Sequence, residues 1–244
     1  MRYATVAALT LLAVPASLPS GQSGQSRQSG PRFAISFLPD KSSVPLDGRL
    51  LLVVSTDSTR EPRFQIADGP ETQLLFGLDV EDWPARRPAV VDARAFGYPM
   101  GSLRDLPPGR YWIQALLNRY ETFRRSDGHV VKLPPDRGEG QQWNRKPGNL
   151  YSRPRWFTIG DGSSPAIPLL LDQEIPPIVP PTNTRYVRHE RIQSQLLTRF
   201  WGRPMYLGAH VLLPEGFDEH PAARYPLVVN HGHFPADMGG FRPE

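Results

Sequence analysis

Cysteine is absent from this chain of 244 residues, which excludes a fold supported by disulfide bonds. A chain of this length does not need such bonds, because a hydrophobic content of 39% can form a packed core in at least part of it. Proline and glycine are abundant instead, with 28 and 21 residues and no collagen-like period. Because proline interrupts helices, this composition predicts a mainly β protein with many short strands and turns.

A cluster of basic residues is also missing. The formal net charge is +4, but lysine and arginine are scattered among acidic residues and form no run longer than the pairs Arg86-Arg87 and Arg124-Arg125. Recognition of nucleic acid needs a basic stripe or a known binding motif. We therefore predict no nucleic-acid partner and interpret most charged side chains as solvated surface.

The N-terminus has the plan of a secretory signal peptide. Arg2 precedes a mostly apolar run over 4–14, and small residues follow it at 15–17. The run is shorter than the roughly 20 residues that span a bilayer. We predict a signal peptide over 1–16, a secreted or periplasmic location, and no membrane partner after cleavage. The following residues 17–30 are rich in Ser, Gly and Gln, which predicts a flexible tether.

Short runs typical of β-strands, separated by turn signals, fill residues 31–172. In the clearest run, at 110–117, Tyr111, Ile113 and Ala115 alternate with polar or aromatic neighbours, as a sheet with two unlike faces requires. Roughly seven such runs in about 130 residues predict an immunoglobulin-like β-sandwich domain over 31–172. The predicted strands are 33–38, 50–55, 63–67, 88–93, 110–117, 155–159 and 167–171.

A proline-rich stretch follows, and we predict a linker over 173–185 because neither a helix nor a central strand tolerates it. The last segment, 186–244, is predicted to start a second domain. Its predicted strands are 186–197 and 205–213, joined by a turn at 201–204, and then 225–230. The third strand is nearly all apolar, as in strands that helices cover on both faces. No amphipathic helix follows it in this sequence, so we expect its apolar faces to remain exposed.

The last sixty residues carry several motifs in a specific order. The sequence Ala-His-Val-Leu-Leu-Pro-Glu-Gly-Phe at 209–217 is followed by Tyr-Pro-Leu-Val-Val at 225–229 and then by His231-Gly232. This order resembles the opening of the esterase branch of the α/β-hydrolase superfamily. The resemblance implies the first strands of a truncated α/β-hydrolase sheet. It also implies a serine hydrolase that acts on esters, with peptide bonds as the weaker alternative.

The resemblance also implies part of an oxyanion hole. Acyl transfer builds negative charge on a carbonyl oxygen, which fixed backbone N–H groups must stabilise. In these folds one donor comes from the loop after the third strand. The resemblance assigns this role to the backbone of His233, with Phe234 as the neighbouring candidate and with Gly232 and His231 shaping the turn. The alternative is a simple strand-to-loop turn with two polar rings.

A nucleophile motif is missing. No Gly-x-Ser-x-Gly occurs anywhere in the chain. In the α/β-hydrolase family the triad follows the third strand in the order Ser, Asp or Glu, His. The resemblance therefore implies that the whole triad lies beyond Glu244. An oxyanion donor without a nucleophile gives no useful turnover, so we predict that this fragment is inactive alone.

Metal binding is a rival interpretation of the same residues, because His231-x-His233 followed by Asp237 superficially resembles the zinc motif of metallo-β-lactamase-type hydrolases. In that motif an Asp stands two positions after the second His, and another His follows it at once. Pro235 and Ala236 occupy those places here. Because zinc needs three or four ligands at fixed geometry, we predict no metal and no cofactor.

The segment 118–151 is long for a loop and dense in aromatic, amide and charged residues. Trp143 and Tyr151 are candidate glycan contacts, since aromatic rings stack on sugars and on other flat groups. Alternatively these rings, with Trp156, pack the loop onto the sandwich, which is the more common role of aromatic residues. The alternative function is therefore a secreted, non-catalytic β-sandwich module that binds a polysaccharide or other polymer. A third hypothesis is a secreted domain with a purely structural role.

Overall fold

The structure is a computed structural model that describes residues 30–160 and 165–231. The predicted signal peptide and most of the predicted tether lie outside the described residues. The protein is mainly β, with 39% strand and 7% helix, which confirms the mainly β fold class.

The strands are β1 (Phe33–Phe37), β2 (Leu46–Ser55), β3 (Leu74–Trp83), β4 (Ala89–Val91), β5 (Phe96–Tyr98), β6 (Gly109–Arg119), β7 (Glu121–Arg124), β8 (Val130–Leu133), β9 (Leu150–Tyr151), β10 (Arg155–Ile159), β11 (Ile167–Leu171), β12 (Gln173–Glu174), β13 (Val187–Gln193) and β14 (Tyr206–Leu212).

Helix is limited among the described residues to α1 (Gln195–Trp201) and two short 3-10 helices at Pro62–Phe64 and Leu103–Asp105. No helix in the described ranges is long and apolar enough to cross a membrane.

A seven-stranded sheet forms the larger layer, in the order β12-β9-β6-β2-β3-β5, with β10 also paired to β6. The long strands β2 and β6 run antiparallel at its centre, with Leu50 opposite Leu117 and Val54 opposite Ile113. These side chains are buried, because alternate residues of each strand face the same layer. The alternation predicted for β6 is therefore confirmed.

A three-stranded sheet forms the second layer, in the order β11-β1-β4. β1 pairs parallel with β11 and antiparallel with β4. Phe33, Ile35 and Phe37 of β1 are fully buried in the same apolar cluster as the inward residues of β2 and β6. The two sheets thus enclose one common core. The strands predicted at 33–38, 155–159 and 167–171 are confirmed to within one residue at each end, as β1, β10 and β11.

The predicted strand at 63–67 is wrong. The chain forms a short 3-10 helix at Pro62–Phe64 instead, with proline at its first position. The backbone N–H of Arg63 donates to the Gln114 side chain at 3.1 Å, so this segment is fixed by a side chain of β6 and not by a strand partner.

The strand β3 was not predicted, although Leu74, Phe76, Leu78 and Val80 recur at every second position and face the core. Its Gly77 lies opposite Leu51 of β2. A Cβ at Gly77 would meet the Arg49 guanidinium at 2.8 Å, and Arg49 also bonds Asp79 at 2.9 Å. Gly77 and the Arg49–Asp79 ion pair therefore lie on the outer face of β3, opposite its apolar side chains.

The predicted strand at 186–197 is correct only in its first part, since β13 ends at Gln193 and α1 follows. The Ser194 hydroxyl accepts from the backbone N–H of Leu197 and caps the helix, as serine commonly does. Gly202 ends it with φ of 65°, a left-handed conformation that glycine adopts readily. A capped helix therefore replaces the last part of the predicted strand, and the turn predicted at 201–204 follows at its C-terminal end. β13 and β14 pair on either side of this connection.

The helix α1 packs against the hairpin of β7 and β8. The rings of Phe123 and Trp201 lie in an edge-to-face arrangement, at a centroid distance of 5.4 Å. The backbone N–H of Ser126 donates to the carbonyl of Phe200 at 2.8 Å, and Arg203 pairs with Glu121. The segment after the proline-rich stretch is therefore in contact with the large loop of the first part.

The predicted strand at 225–230 is not formed. Its backbone is irregular, and Leu227, Val228 and Val229 are 83%, 86% and 79% exposed. A strand needs a neighbour for its backbone groups, and in the described part of the chain β13 and β14 pair only with each other. The expectation of exposed apolar side chains is confirmed, while the strand assignment is wrong.

The larger sheet also extends past the predicted domain limit at Asp172. β12 pairs with β9 inside the predicted linker, and Ile175 is buried beside Leu51 and Leu116. The residues after Ile175, up to about 183, form no regular element.

Candidate functional site

The residues that precede the predicted oxyanion turn form an ordered connection. β14 is followed by the buried Leu213, whose N–H donates to the Tyr186 carbonyl at 2.7 Å. A turn then runs through Gly216, which has φ of 70°, and the Phe217 ring contacts the Tyr225 ring at 5.6 Å. The chain therefore passes from β14 to Tyr225 through a buried residue, a turn and a ring contact.

The predicted oxyanion residues themselves are only partly described. His231 is exposed. Gly232, His233 and Phe234 lie outside the described residues, so their proposed role stays a prediction.

A small cavity of about 40 Å³ lies where the 118–151 segment leaves β6. Its volume suits a water molecule or one small polar group. Three cations and one carboxylate dominate its walls, and the complete lining is Arg119, Tyr120, Glu121, Pro135, Arg137, Lys146, Pro147 and Gly148. Because charged side chains from separate parts of the chain converge on this cavity, we treat it as the candidate site.

Lys146 is the most unusual residue of this cavity because only 2% of its surface is exposed. Its Nζ donates to Asn118 Oδ1 at 3.1 Å and to the Arg119 carbonyl. Burial is the main cause that lowers the pKa of Lys146 to about 8. The charges of Arg137 and Arg119 contribute to this lowering, while Glu139 and Glu121 oppose it. A sizeable fraction of this amine is therefore neutral at slightly alkaline pH.

Glu121 connects the cavity to the segment after the proline-rich stretch. Its two carboxylate oxygens pair with Arg137 and Arg203. Burial acts to raise the pKa of Glu121, but hydrogen bonds from Arg203 and Arg137 outweigh that effect and hold the pKa below its usual range. The carboxylate is thus held in its charged form between two guanidinium groups.

Arg119 contributes a second, partly buried cation. Its Nη1 donates to the Gly148 carbonyl at 3.2 Å, and burial lowers its pKa. On the other side of Lys146, the buried Glu139 accepts from the Arg137 N–H at 2.8 Å through Oε2, while its Oε1 has no hydrogen-bond partner. The cations at the cavity wall outnumber the carboxylates, which favours a small anion.

Asn149 keeps this arrangement in place. It is fully buried, its Oδ1 accepts from the Arg119 N–H at 3.0 Å, and its Nδ2 donates to the Trp143 carbonyl at 2.8 Å. The Asn149 carbonyl also accepts from the Ile175 N–H at 3.0 Å. Because one side chain bridges β6 and the loop, the cavity is formed before any ligand binds.

The two predicted glycan-contact residues lie beside the core instead of at the cavity. Trp143 and Tyr151 are half-buried and pack against the small apolar cluster that contains Leu116. The Arg63 guanidinium lies 4.1 Å from the centre of the Tyr151 ring and covers one face of it. Trp156 likewise lies between Trp112 and an arginine.

The sequence did not single out the cavity residues. They belong to the long charged segment, but no spacing rule connects Arg119 with Lys146, since the loop between them is irregular. Among the described residues, no group of three or more His, Cys, Asp or Glu side chains is placed to hold a metal ion. No protein-family model, curated protein or solved structure matches the chain.

Proposed function

We propose that the chain is the front portion of a secreted or periplasmic serine hydrolase that acts on esters. In this proposal the two-layered β region is an immunoglobulin-like sandwich, and residues 186–244 begin the α/β-hydrolase sheet. The chain contributes the oxyanion turn at 231–234 and no nucleophile, so it has no esterase activity by itself.

One observation carries this proposal. The apolar residues Leu227, Val228 and Val229 are more than three-quarters exposed and lie downstream of the Leu-Pro-Glu-Gly-Phe turn at 213–217. Consecutive apolar side chains of this exposure are uncommon in a soluble monomer unless they bind something. In a hydrolase sheet, neighbouring strands and helices cover the central strands, which are therefore apolar. If residues 227–229 belong to such a strand, both their apolar sequence and their exposure in this chain are explained.

The direct test is to read the gene beyond the codon for Glu244. The proposal requires a Gly-x-Ser-x-Gly motif after a further apolar strand within about a hundred residues, followed by an acidic residue and a histidine. The protein encoded by the extended frame should react with a fluorophosphonate probe, and its motif Ser→Ala variant should not. An extended frame without the motif, or labelling that survives the Ser→Ala change, would overturn the proposal.

The cation-rich cavity favours a second candidate function, a binding module for a polymer that carries carboxylate groups. Arg119, Arg137 and Lys146 supply the positive charge, and the cavity volume suits one carboxylate. This candidate corresponds to the polymer-binding alternative, with the contact made through cations and not through Trp143 and Tyr151.

Binding of the full chain to immobilised polygalacturonate tests this candidate, with neutral dextran as the reference polymer. Arg137→Gln should weaken binding, whereas Arg104→Gln at an exposed site elsewhere removes the same charge and should leave binding unchanged. Equal losses in the two variants would show that only net charge matters and would exclude the cavity as the binding site.

A further inference from the structure

Two histidines face each other across the hairpin of β13 and β14. His189 and His210 are directly opposite in the register of the two strands. Their Nδ1 atoms are 2.6 Å apart, their ring centroids are 4.7 Å apart, and the rings are inclined at 83°. Both residues are half-buried, so the rings are held by the hairpin and remain accessible.

This contact is chemically specific because a neutral imidazole has one N–H group and one ring nitrogen with a free lone pair. Two ring nitrogens at this distance cannot both present a lone pair, or both present a proton, without repulsion. Either one ring donates its N–H to the lone pair of the other, or both lone pairs face a common metal ion. Imidazole nitrogen is the protein ligand that zinc, copper and nickel ions commonly take.

We propose that His189 and His210 form a two-histidine binding site for a divalent transition metal ion of the zinc type. The two Nδ1 atoms are the protein ligands, and water molecules complete the coordination. Zinc–nitrogen bonds of about 2.0 to 2.1 Å at near-tetrahedral angles place two ligand nitrogens roughly 3.3 Å apart. Small rotations of the two half-exposed side chains provide this separation.

The surroundings of the pair fix its backbone and limit its affinity. The His189 N–H donates to Asn183 Oδ1 at 2.8 Å, and the strand ladder continues on both sides of the pair. Arg188 is engaged with Asp218 at 2.7 Å, and the Arg191 guanidinium lies over the Tyr206 ring at 3.9 Å. The nearby arginines are thus occupied by other partners, while their charge keeps the site weaker than a three- or four-ligand zinc site.

Calorimetric titration of the full chain with Zn²⁺ tests the proposal. One equivalent of Zn²⁺ should bind, and His189→Gln and His210→Gln should each abolish that binding. The other four histidines of the chain provide matched controls. His129→Gln, His220→Gln and the double change His231→Gln with His233→Gln should all retain it.

Several outcomes would overturn the site. One is the absence of Zn²⁺ binding, and another is binding that survives both His189→Gln and His210→Gln. The third is loss of binding only in the double variant of His231 and His233, which would place the ion at 231–233. Since the Gln variants could disturb the hairpin, modification of the unaltered chain by diethyl pyrocarbonate is a second measurement. Zn²⁺ should protect His189 and His210 and leave His220 reactive, and equal reactivity with and without Zn²⁺ would contradict the proposal.

Discussion

At the scale of single residues, Gln114 illustrates how a side chain can be polar, fully buried and still well accommodated. Its Oε1 accepts from the Arg63 N–H, and its Nε2 donates to Glu61 Oε2 at 2.9 Å and to the Ser152 carbonyl at 3.0 Å. The alternation of β6 predicted that Gln114 faces away from the main core. It does so, but the 3-10 helix and the chain after β9 cover it, because a buried amide is stable only with its bonds satisfied.

Lys146 provides a pH-dependent prediction at the same scale. Because its pKa in the folded protein is about 8, below the usual 10.5 of a lysine, the unfolded chain binds more protons than the folded chain between these two pH values. The contribution of Lys146 should therefore increase the free energy of unfolding as the pH rises from about 8 towards 10.5.

Urea unfolding of the protein and of Lys146→Met at pH 7 and pH 9.5 measures this contribution. The stability of the unaltered protein relative to the variant should increase at the higher pH. Lys132→Met is a suitable control, since Lys132 pairs with Asp47 and its pKa is raised, not lowered. If the difference in stability between the unaltered protein and Lys146→Met were the same at both pH values, it would contradict the lowered pKa of Lys146.

At the scale of secondary-structure elements, α1 depends on its contacts with the β7 and β8 hairpin. A helix of seven residues is too short to be stable by itself in water. Trp201 supplies the ring contact with Phe123, whereas Leu196 on the same helix is exposed. We predict that Trp201→Ala accelerates amide hydrogen exchange throughout α1, while Leu196→Ala leaves exchange nearly unchanged.

Hydrogen exchange followed by mass spectrometry can resolve these peptides. An aromatic pair of this geometry contributes about 0.5 to 1.5 kcal/mol beyond its buried area, so exchange through local opening should rise about two- to tenfold. Equal exchange in Trp201→Ala and Leu196→Ala would show that the ring contact does not hold the helix.

The strands and helices differ in how well local sequence patterns predicted them. β1, β10 and β11 were predicted closely, because each has apolar residues at the spacing of a strand and is bounded by turn residues. β3 and α1 were not predicted. β3 carries the alternation of a strand at Leu74, Phe76, Leu78 and Val80, so the sequence did contain its signal. The amphipathic signal of α1 is confined to two turns between strands, and its ring partner Phe123 lies elsewhere in the sequence.

At the scale of the whole molecule, the exposed apolar segment at 225–229 predicts self-association. Exposed Leu and Val side chains gain free energy when another surface removes them from water. We expect the chain to form concentration-dependent oligomers, and we expect Leu227→Ser with Val229→Ser to reduce them. Sedimentation velocity over a range of concentrations measures the effect.

Val179→Ser is the control for this prediction, because Val179 is also highly exposed but stands in the proline-rich stretch. It should leave the association unchanged. A single monomeric species at all concentrations would contradict the prediction, as would an equal effect of Val179→Ser and the double change.

The sequence by itself determined that the protein is mainly β, where several of its strands lie, and that its last part contains an apolar segment built for burial. These properties follow from local periodicity and turn residues, which act over a few neighbouring positions. The cavity of Arg119 and Lys146 and the facing pair of His189 and His210 were decided only by the tertiary structure. Their members are far apart along the chain, and strand register and loop packing, not sequence spacing, bring their side chains together.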